Sequence, residues 1–297
     1  MDGLMMGQDA FSKYHPAVNF TFFLGAIGCG VVIRHPAYVA GAVVTGVVYY
    51  LLLVGQKGWK LIGGLIPLFL FLTAINPLLN TQGQTQLFSL FGRPYTLEAL
   101  YYGASIAGMF VSITVWFGCY NHVLTSDKFT SLFGNLIPAL SLLLVMVLRL
   151  VPTFLRKTRA ISGARDAIGK GVGEGAGKKE RLESGLTVLG ALTSWALEGS
   201  VVTGDSMRAR GYGCAKRSSF MLYTMGKGDW SLLLVQLFLL ALVLLSAFLG
   251  QAGANFTPIL EVAPVSWGMA VYGAYLLIPT VLQIKESILW HISRSRI

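Results

Sequence analysis

The feature that most restricts this chain is the recurrence of apolar runs about as long as a bilayer is thick. Six of them, roughly 18–33, 36–55, 61–79, 97–120, 230–250 and 261–283, approach the ~20 apolar residues a helix needs to cross the hydrocarbon core. Charge is correspondingly scarce. Soluble domains carry about 25% charged residues, whereas these 297 residues carry 12%, with 54% hydrophobic and a mean hydropathy of +0.64. The chain therefore reads as an all-α, polytopic membrane protein with about six transmembrane helices and long helices on its cytoplasmic side. Three regions follow: 1–120 with four spans, 121–229 on the cytoplasmic side, and 230–297 with two spans.

Local sequence refines the spans. "RHP" at 34–36 predicts a tight reversal, with Pro36 in a helix's first turn, where its missing N–H costs nothing. Asn76–Pro77 is expected to break or kink the third span near its end. Gly, Ala and Ser interspersed in the fourth and sixth spans suit close helix packing. The polar opening lacks a basic stretch running directly into an apolar core, so no cleavable signal peptide is expected and the first span serves as the insertion signal. Cys29, Cys119 and Cys214 are odd in number and have no metal-ligand spacing, which argues against a disulfide framework or a zinc site.

Basic residues set the orientation. With the N-terminus in the cytoplasm, the outer loops hold only Arg34 and Arg93, and the other 21 of 23 Lys and Arg lie on or beside the inner face. The positive-inside rule thus puts both termini in the cytoplasm. The net charge of +10 is then a topological and lipid-facing feature, not a sign of nucleic-acid binding.

Thirteen of the 23 basic residues fall between Arg149 and Arg217. Two apolar stretches lie in the same region, "NLIPALSLLLVMVLRLVP" (135–152) and "GLTVLGALTSWALEG" (185–199). If both crossed, the strongly basic segment between them would be exported, against the same rule, so both are expected as amphipathic or partly embedded helices. "GKGVGEGAGKKE" (169–180) resembles a phosphate loop only superficially. The pattern needs a first glycine where Val172 stands and a hydroxyl where Lys179 stands, so a glycine hinge is expected instead.

The stretch "DSMRARGYG" (205–213) reads as a helix end, with Gly211 the terminator and Arg208 and Arg210 complementing the helix dipole. A basic tip with a small neighbour, Ala209, also suits an acidic groove on a partner, since guanidinium pairs bidentately with carboxylate. The Ala-Arg pair of membrane CDP-alcohol phosphotransferases is a false likeness. Their chemistry needs a run of spaced aspartates, and only Asp205 is nearby.

With these motifs in order, the chain resembles the transmembrane T component of energy-coupling factor (ECF) transporters, prokaryotic importers of vitamins and metal ions. The likeness spans most of the chain and rests on "KYHPAVNFTF" before the first helix, "LRLVPTFLRKTRAI" (148–161), and "SMRARGYG" (206–213) followed by Arg217 and Asp229. It implies two coupling helices, each ending in an Ala-Arg-Gly-type motif that docks in a groove of a cytosolic ABC ATPase. The second motif is Ala209, Arg210 and Gly211, with Arg208 beside it, and is intact. The first registers on Ala167, Ile168 and Gly169, with isoleucine where arginine is expected and Arg165 about one helical turn earlier. Arg149, Pro152, Arg217 and Asp229 take structural roles around the coupling helices. The partners implied are two ATPase subunits, a membrane-embedded substrate-binding S component and membrane lipids. The chain itself would be non-catalytic, would bind no cofactor or metal directly, and would sit in a prokaryotic plasma membrane while its partners use ATP.

Glu198 is expected to pair with Arg149 or Arg156. Trp59, Trp116, Trp230 and Trp267 are expected as interfacial anchors, and Glu98 and Glu261 as solvated span ends. His15, His35, His122 and His291 show no ligand spacing and read as interface or loop residues. Pro138 and Pro152 are hinge candidates or helix starts. Two other classes remain in view. A self-contained carrier needs midplane polar groups and inverted repeats, and a membrane enzyme needs clustered acids, histidines or metal ligands. The helices show neither pattern.

Overall fold

The computed structural model describes residues 9–80, 83, 85–90, 93–133, 138–171, 177–214, 223–255 and 261–294. Its helices are α1 (Pro16–Val32), α2 (Pro36–Val54), α3 (Trp59–Leu79), α4 (Leu97–Val123), α5 (Ser126–Phe133), α6 (Pro138–Ala167), α7 (Lys178–Ala209), α8 (Lys227–Phe248) and α9 (Trp267–Arg294). Two short 3-10 helices, Phe11–Lys13 and Gly55–Gly58, and two small antiparallel ladders complete the described elements: β1 (Gln86–Leu90) with β2 (Arg93–Thr96), and β3 (Ala254–Asn255) with β4 (Glu261–Val262). The chain divides into two compact units, Met1–Phe129 with Tyr223–Ile297, and Thr130–Leu222.

Five helical stretches are long and apolar enough to cross a membrane: Pro36–Leu79, Leu97–Val123, Lys178–Ala209, Lys227–Phe248 and Trp267–Leu289; Pro16–Val32 is a shorter apolar helix. Pro36–Leu79 contains two of the expected spans, because the 3-10 turn Gly55–Gly58 joins α2 to α3. All six expected spans are thus present as helices. The last begins at Trp267 rather than 261, because the β3–β4 ladder occupies the segment before it. α3 passes through both Pro67 and Pro77 and ends at Leu79.

Side-chain contacts fix the direction of each helix in the first unit. α3 touches α4 with Phe69 near Gly108 and Asn76 near Gly103, so the two run antiparallel. α2 touches α4 with Val39 near Gly108, Ala42 bonded to Trp116, and Tyr50 near Gly118, so those two run parallel. α1 opposes α4, since Phe23 meets Trp116 and Tyr120 while Gly30 meets Ser112 and Ile113. Gln236 of α8 bonds Val18 and Thr21, and Leu240 lies against Gly25, so α8 follows α1. α9 runs back, from Gly268 beside Tyr38 to Gln283 beside Ala10. α1, α3 and α8 therefore run one way, and α2, α4 and α9 the other.

Both ends of this unit consequently lie at one face, together with the Gly55–Gly58 turn and the points where the chain leaves after Phe129 and returns at Tyr223. Lys13, Lys57, Lys60, Lys128, Lys227 and Lys285 lie at that face. The opposite face holds Arg34 and the β1–β2 ladder with Arg93.

α1 and α2 start alike. "HPA" recurs at 15–17 and 35–37, and in each copy the histidine Nδ1 accepts the alanine N–H two residues on, at 3.2 Å. Proline contributes no N–H at the first helical position, and the imidazole satisfies the next orphan donor. His35 also donates from Nε2 to the Ala263 carbonyl at 2.8 Å, tying the start of α2 to the α8–α9 connection.

The core is aromatic. Phe11, Phe22, Phe23, Tyr49, Trp116 and Tyr275 are fully or almost fully buried and meet in edge-to-face and stacked pairs. Trp116 corrects an expectation. At 1% exposure it is a core residue whose indole N–H donates to the Ala42 carbonyl, not an interfacial anchor. Trp59, Trp230 and Trp267 are exposed near helix starts. Close approach depends on small residues: a side chain at Gly46 would meet the Trp116 ring, and one at Gly108 would meet Val39. Glu98 is a second correction. It is 7% exposed and accepts from the Thr85 N–H and hydroxyl, so it fixes the loop before α4.

The stretch Asp9–Tyr14 forms a strap across the basic face. Ala10 N–H donates to Gln283, Lys13 pairs with Glu286, Tyr49 donates to Asp9 at 2.6 Å, and buried Lys128 of α5 donates to Ser12 and to the Val123 carbonyl. Burial raises the Asp9 carboxyl above its ordinary range, against the favourable Tyr49 bond. The Phe11 and Ser12 amides also favour its charge, although Oδ1 makes no hydrogen bond of its own. Burial lowers the Lys128 ammonium, and the Asp9 charge partly offsets that.

Candidate functional site

In the second unit α6 and α7 touch near their middles. Phe154 meets Trp195 edge-to-face with centroids 5.6 Å apart, and the Lys157 ammonium lies 5.4 Å from the Trp195 ring centroid. Among the described residues Leu192, one turn away, is the buried side chain of α7. Most other large apolar side chains of the pair are exposed, among them Leu143, Leu148 and Leu155 on α6 and Leu186, Leu189 and Leu197 on α7. Pro138 opens α6 and Pro152 lies inside it, so the first is a helix start and the second an interior proline.

Both helices end in the same way. At the end of α7, Arg210 is the C-cap and Gly211 takes a left-handed conformation with φ +80°. The Gly211 N–H donates to Arg208 O at 2.9 Å, and the Tyr212 N–H to Met207 O at 3.0 Å. At the end of α6, Gly169 has φ +72°, its N–H donates to Asp166 O at 3.1 Å, and the Lys170 N–H donates to Arg165 O at 2.9 Å. This pairing of bonds around a left-handed glycine closes the last orphan carbonyls of a helix. Gly250 terminates α8 identically, so the closure is a general device. What distinguishes the two tips is what they present.

Ala167, Ile168 and Gly169 are all exposed, as are Arg208, Ala209, Arg210 and Gly211; Ile168 reaches 69%. Arg208 and Arg210 are two residues apart, about 200° around a helix, so they present opposite sides of the tip rather than one fork. Arg165 is engaged locally, donating from Nη2 to the Lys170 carbonyl at 3.3 Å. Counted from the Phe154–Trp195 contact, Ile168 lies 14 residues along α6 and Arg210 lies 15 along α7. At 1.5 Å per residue the two arms are about 21 and about 22 Å long.

The remaining predicted residues fall as follows. Arg149 and Pro152 are exposed on α6. Arg217 lies outside the described residues. Asp229 belongs to the first unit: it caps α8 by accepting the Gly226 N–H and accepts the His15 N–H, both at 2.9 Å, tying the start of α8 to the start of α1. Glu198 is exposed, and among the described residues it forms no ion pair with Arg149 or Arg156; the salt bridge present there is Lys13–Glu286. Cys29 and Cys119 are buried thiols, and Cys214 is exposed just past the second tip. Among the described residues no group of three or more His, Cys, Asp or Glu is placed to hold a metal ion. Sequence reasoning missed the Asp9–Tyr49 and Lys128–Ser12 contacts, which join residues far apart in the chain and leave no local pattern.

Fold and spans define a multi-pass α-helical membrane protein with an inserted two-helix unit. No protein-family model matches the chain, and no curated protein matches it.

Proposed function

We propose that this chain is the energy-coupling transmembrane component of an ECF-type ABC importer, a non-catalytic scaffold taking up a vitamin or metal ion through a separate S component. The observation that carries the proposal is the pair of exposed Ala-X-Gly tips, closed by the same bonds and set on arms of about equal length from one crossing point. Two ATPase subunits need two such handles. As they close on ATP and reopen, tips seated in their grooves move with them, and α6 and α7 transmit the displacement. The exposed apolar side chains along α6 and α7 support a membrane-embedded partner packing there. The lysines gathered at the face from which the chain leaves the first unit support a reading in which that face and both termini are cytoplasmic, in the plasma membrane of a prokaryote.

Arg210 supplies a guanidinium for an acidic groove at the second tip. At the first tip Ile168 supplies an apolar contact instead, and Arg165 remains on its own helix end. Purification from native membranes in mild detergent tests the proposal. Two ABC-type ATPase chains and a small apolar membrane protein are expected to co-purify. A preparation that transports alone when reconstituted would instead make the chain a self-contained carrier.

A further inference from the structure

We infer that the first unit carries a phospholipid site in the groove between α1 and α4, at the end where α1 terminates. The groove encloses about 300 Å³ and is lined by Val31 and Arg34 from the end of α1 and by Tyr102, Ser105, Ile106, Met109, Phe110 and Ile113 of α4. The α4 residues recur at steps of three and four, so they form one face of the helix. Polar and apolar groups are segregated along it. Arg34, Tyr102 and Ser105 gather at one end, and from there to Ile113 the lining is hydrocarbon and thioether.

Dimensions and charge select the occupant. Tyr102 to Ile113 is 11 residues, about 16 Å along a helix, and half of a ~30 Å hydrocarbon core is about 15 Å. The groove thus runs from the interfacial level to the midplane, the reach of one leaflet's acyl chain. Arg34 is exposed at its mouth, and its guanidinium has no hydrogen-bond or salt-bridge partner among the described residues. A guanidinium at the membrane interface is a strong bidentate site for a phosphate diester. Arg34 directly precedes His35, whose two ring nitrogens are both engaged, so its backbone is held in place. A phospholipid of that leaflet satisfies both ends, with its phosphate on Arg34 and one acyl chain along Ile106, Phe110 and Ile113.

Native mass spectrometry of the full chain tests this, after delipidation and titration with palmitoyl-oleoyl phosphatidylglycerol. Wild type is expected to retain one lipid through activation. Arg34→Ala should bind it about tenfold more weakly, the weight of one lost charge-assisted hydrogen bond, with Arg34→Lys between the two. Ile106→Trp, which fills the groove and keeps Arg34, should lose the retained lipid while helicity and monodispersity are unchanged. Equal retention by Arg34→Ala and Ile106→Trp overturns the proposal. So does a wild type that retains no lipid, or one whose groove cross-links to a co-purifying membrane polypeptide instead.

Discussion

Ile168 and Arg210 hold the same place in two helix endings closed by the same pair of bonds, each directly after the last helical residue, between an alanine and a left-handed glycine. The backbone thus presents both side chains in one local geometry while their chemistry differs, one apolar and one cationic. In the proposed complex this asymmetry matches two grooves of different character.

The glycines of those endings should be sensitive to a methyl group for conformational reasons alone. Neither Gly169 nor Gly211 has any atom within reach of an added Cβ, so the cost is purely that of a left-handed residue. Gly169→Ala and Gly211→Ala are each expected to destabilise the local closure by about 1 kcal/mol. Gly163, inside α6 with open space around it, is the control, and Gly163→Ala should stabilise its helix slightly. Hydrogen exchange at 205–212 and 163–170 reads this as faster opening at the substituted tip.

The α6–α7 contact should be measurable as a pairwise term. A double-mutant cycle of Phe154→Leu and Trp195→Leu is expected to give a coupling of about 0.5–1.5 kcal/mol for the edge-to-face pair. Additive effects within about 0.3 kcal/mol would mean that the rings contribute nothing beyond area.

Close packing at Gly25 gives a rescue test. An added methyl there would meet the Tyr275 hydroxyl, which donates to the Phe22 carbonyl at 2.8 Å. Gly25→Ala should therefore destabilise the fold by an amount typical of an overpacked core, about 1–3 kcal/mol, read as a lower unfolding temperature. Adding Tyr275→Phe should recover part of the loss by removing the clashing oxygen. A double variant as unstable as the sum of the singles would place the strain elsewhere.

The buried strap predicts a pH dependence. Burial raises the Asp9 carboxyl above its ordinary 3.8, so the folded protein holds that proton more tightly than the unfolded chain does. Its ionisation therefore costs stability above the raised pKa, and the cost shrinks as pH falls from that value and is gone below 3.8. Asp9→Asn, which keeps an acceptor for Tyr49, should unfold at a higher temperature than wild type at about pH 8, with the difference shrinking once the pH falls below the raised pKa toward 3.8. A difference that grows on acidification would reverse the assignment.

Much of the architecture is visible in the sequence because a bilayer imposes a length and a polarity on each crossing segment. The runs at 36–55, 61–79 and 97–120 appear as α2, α3 and α4, with shifted ends. Gly211 as terminator was equally legible, since few residues other than glycine take the left-handed conformation at low cost. Trp116 was misplaced because an indole near a span end looks the same whether it meets lipid headgroups or an inward carbonyl; only the neighbour, Ala42, decides. Glu98 reads as a solvated end in the sequence because its partner, Thr85, lies in a loop without periodicity. A pairing of Glu198 with Arg149 or Arg156, suggested by a charge inside the apolar "SWALEGS", is not formed among the described residues, since α6 and α7 meet at Phe154 and Trp195 instead. The likeness of the two tips was half legible. The Ala-X-Gly spacing was in the sequence, but the identity of their closing bonds was not.

The most direct measurement is retention of ABC-type ATPases by the tagged protein in detergent, comparing wild type with Arg210→Glu. Wild type is expected to hold two ATPase chains. The charge reversal should lose them while span insertion and helicity are unchanged, because the Arg210 side chain is exposed at a helix tip and makes no hydrogen bond or salt bridge among the described residues. Undiminished retention by Arg210→Glu, or a wild type that holds no ATPase, would contradict the account and leave Arg210 as a helix cap.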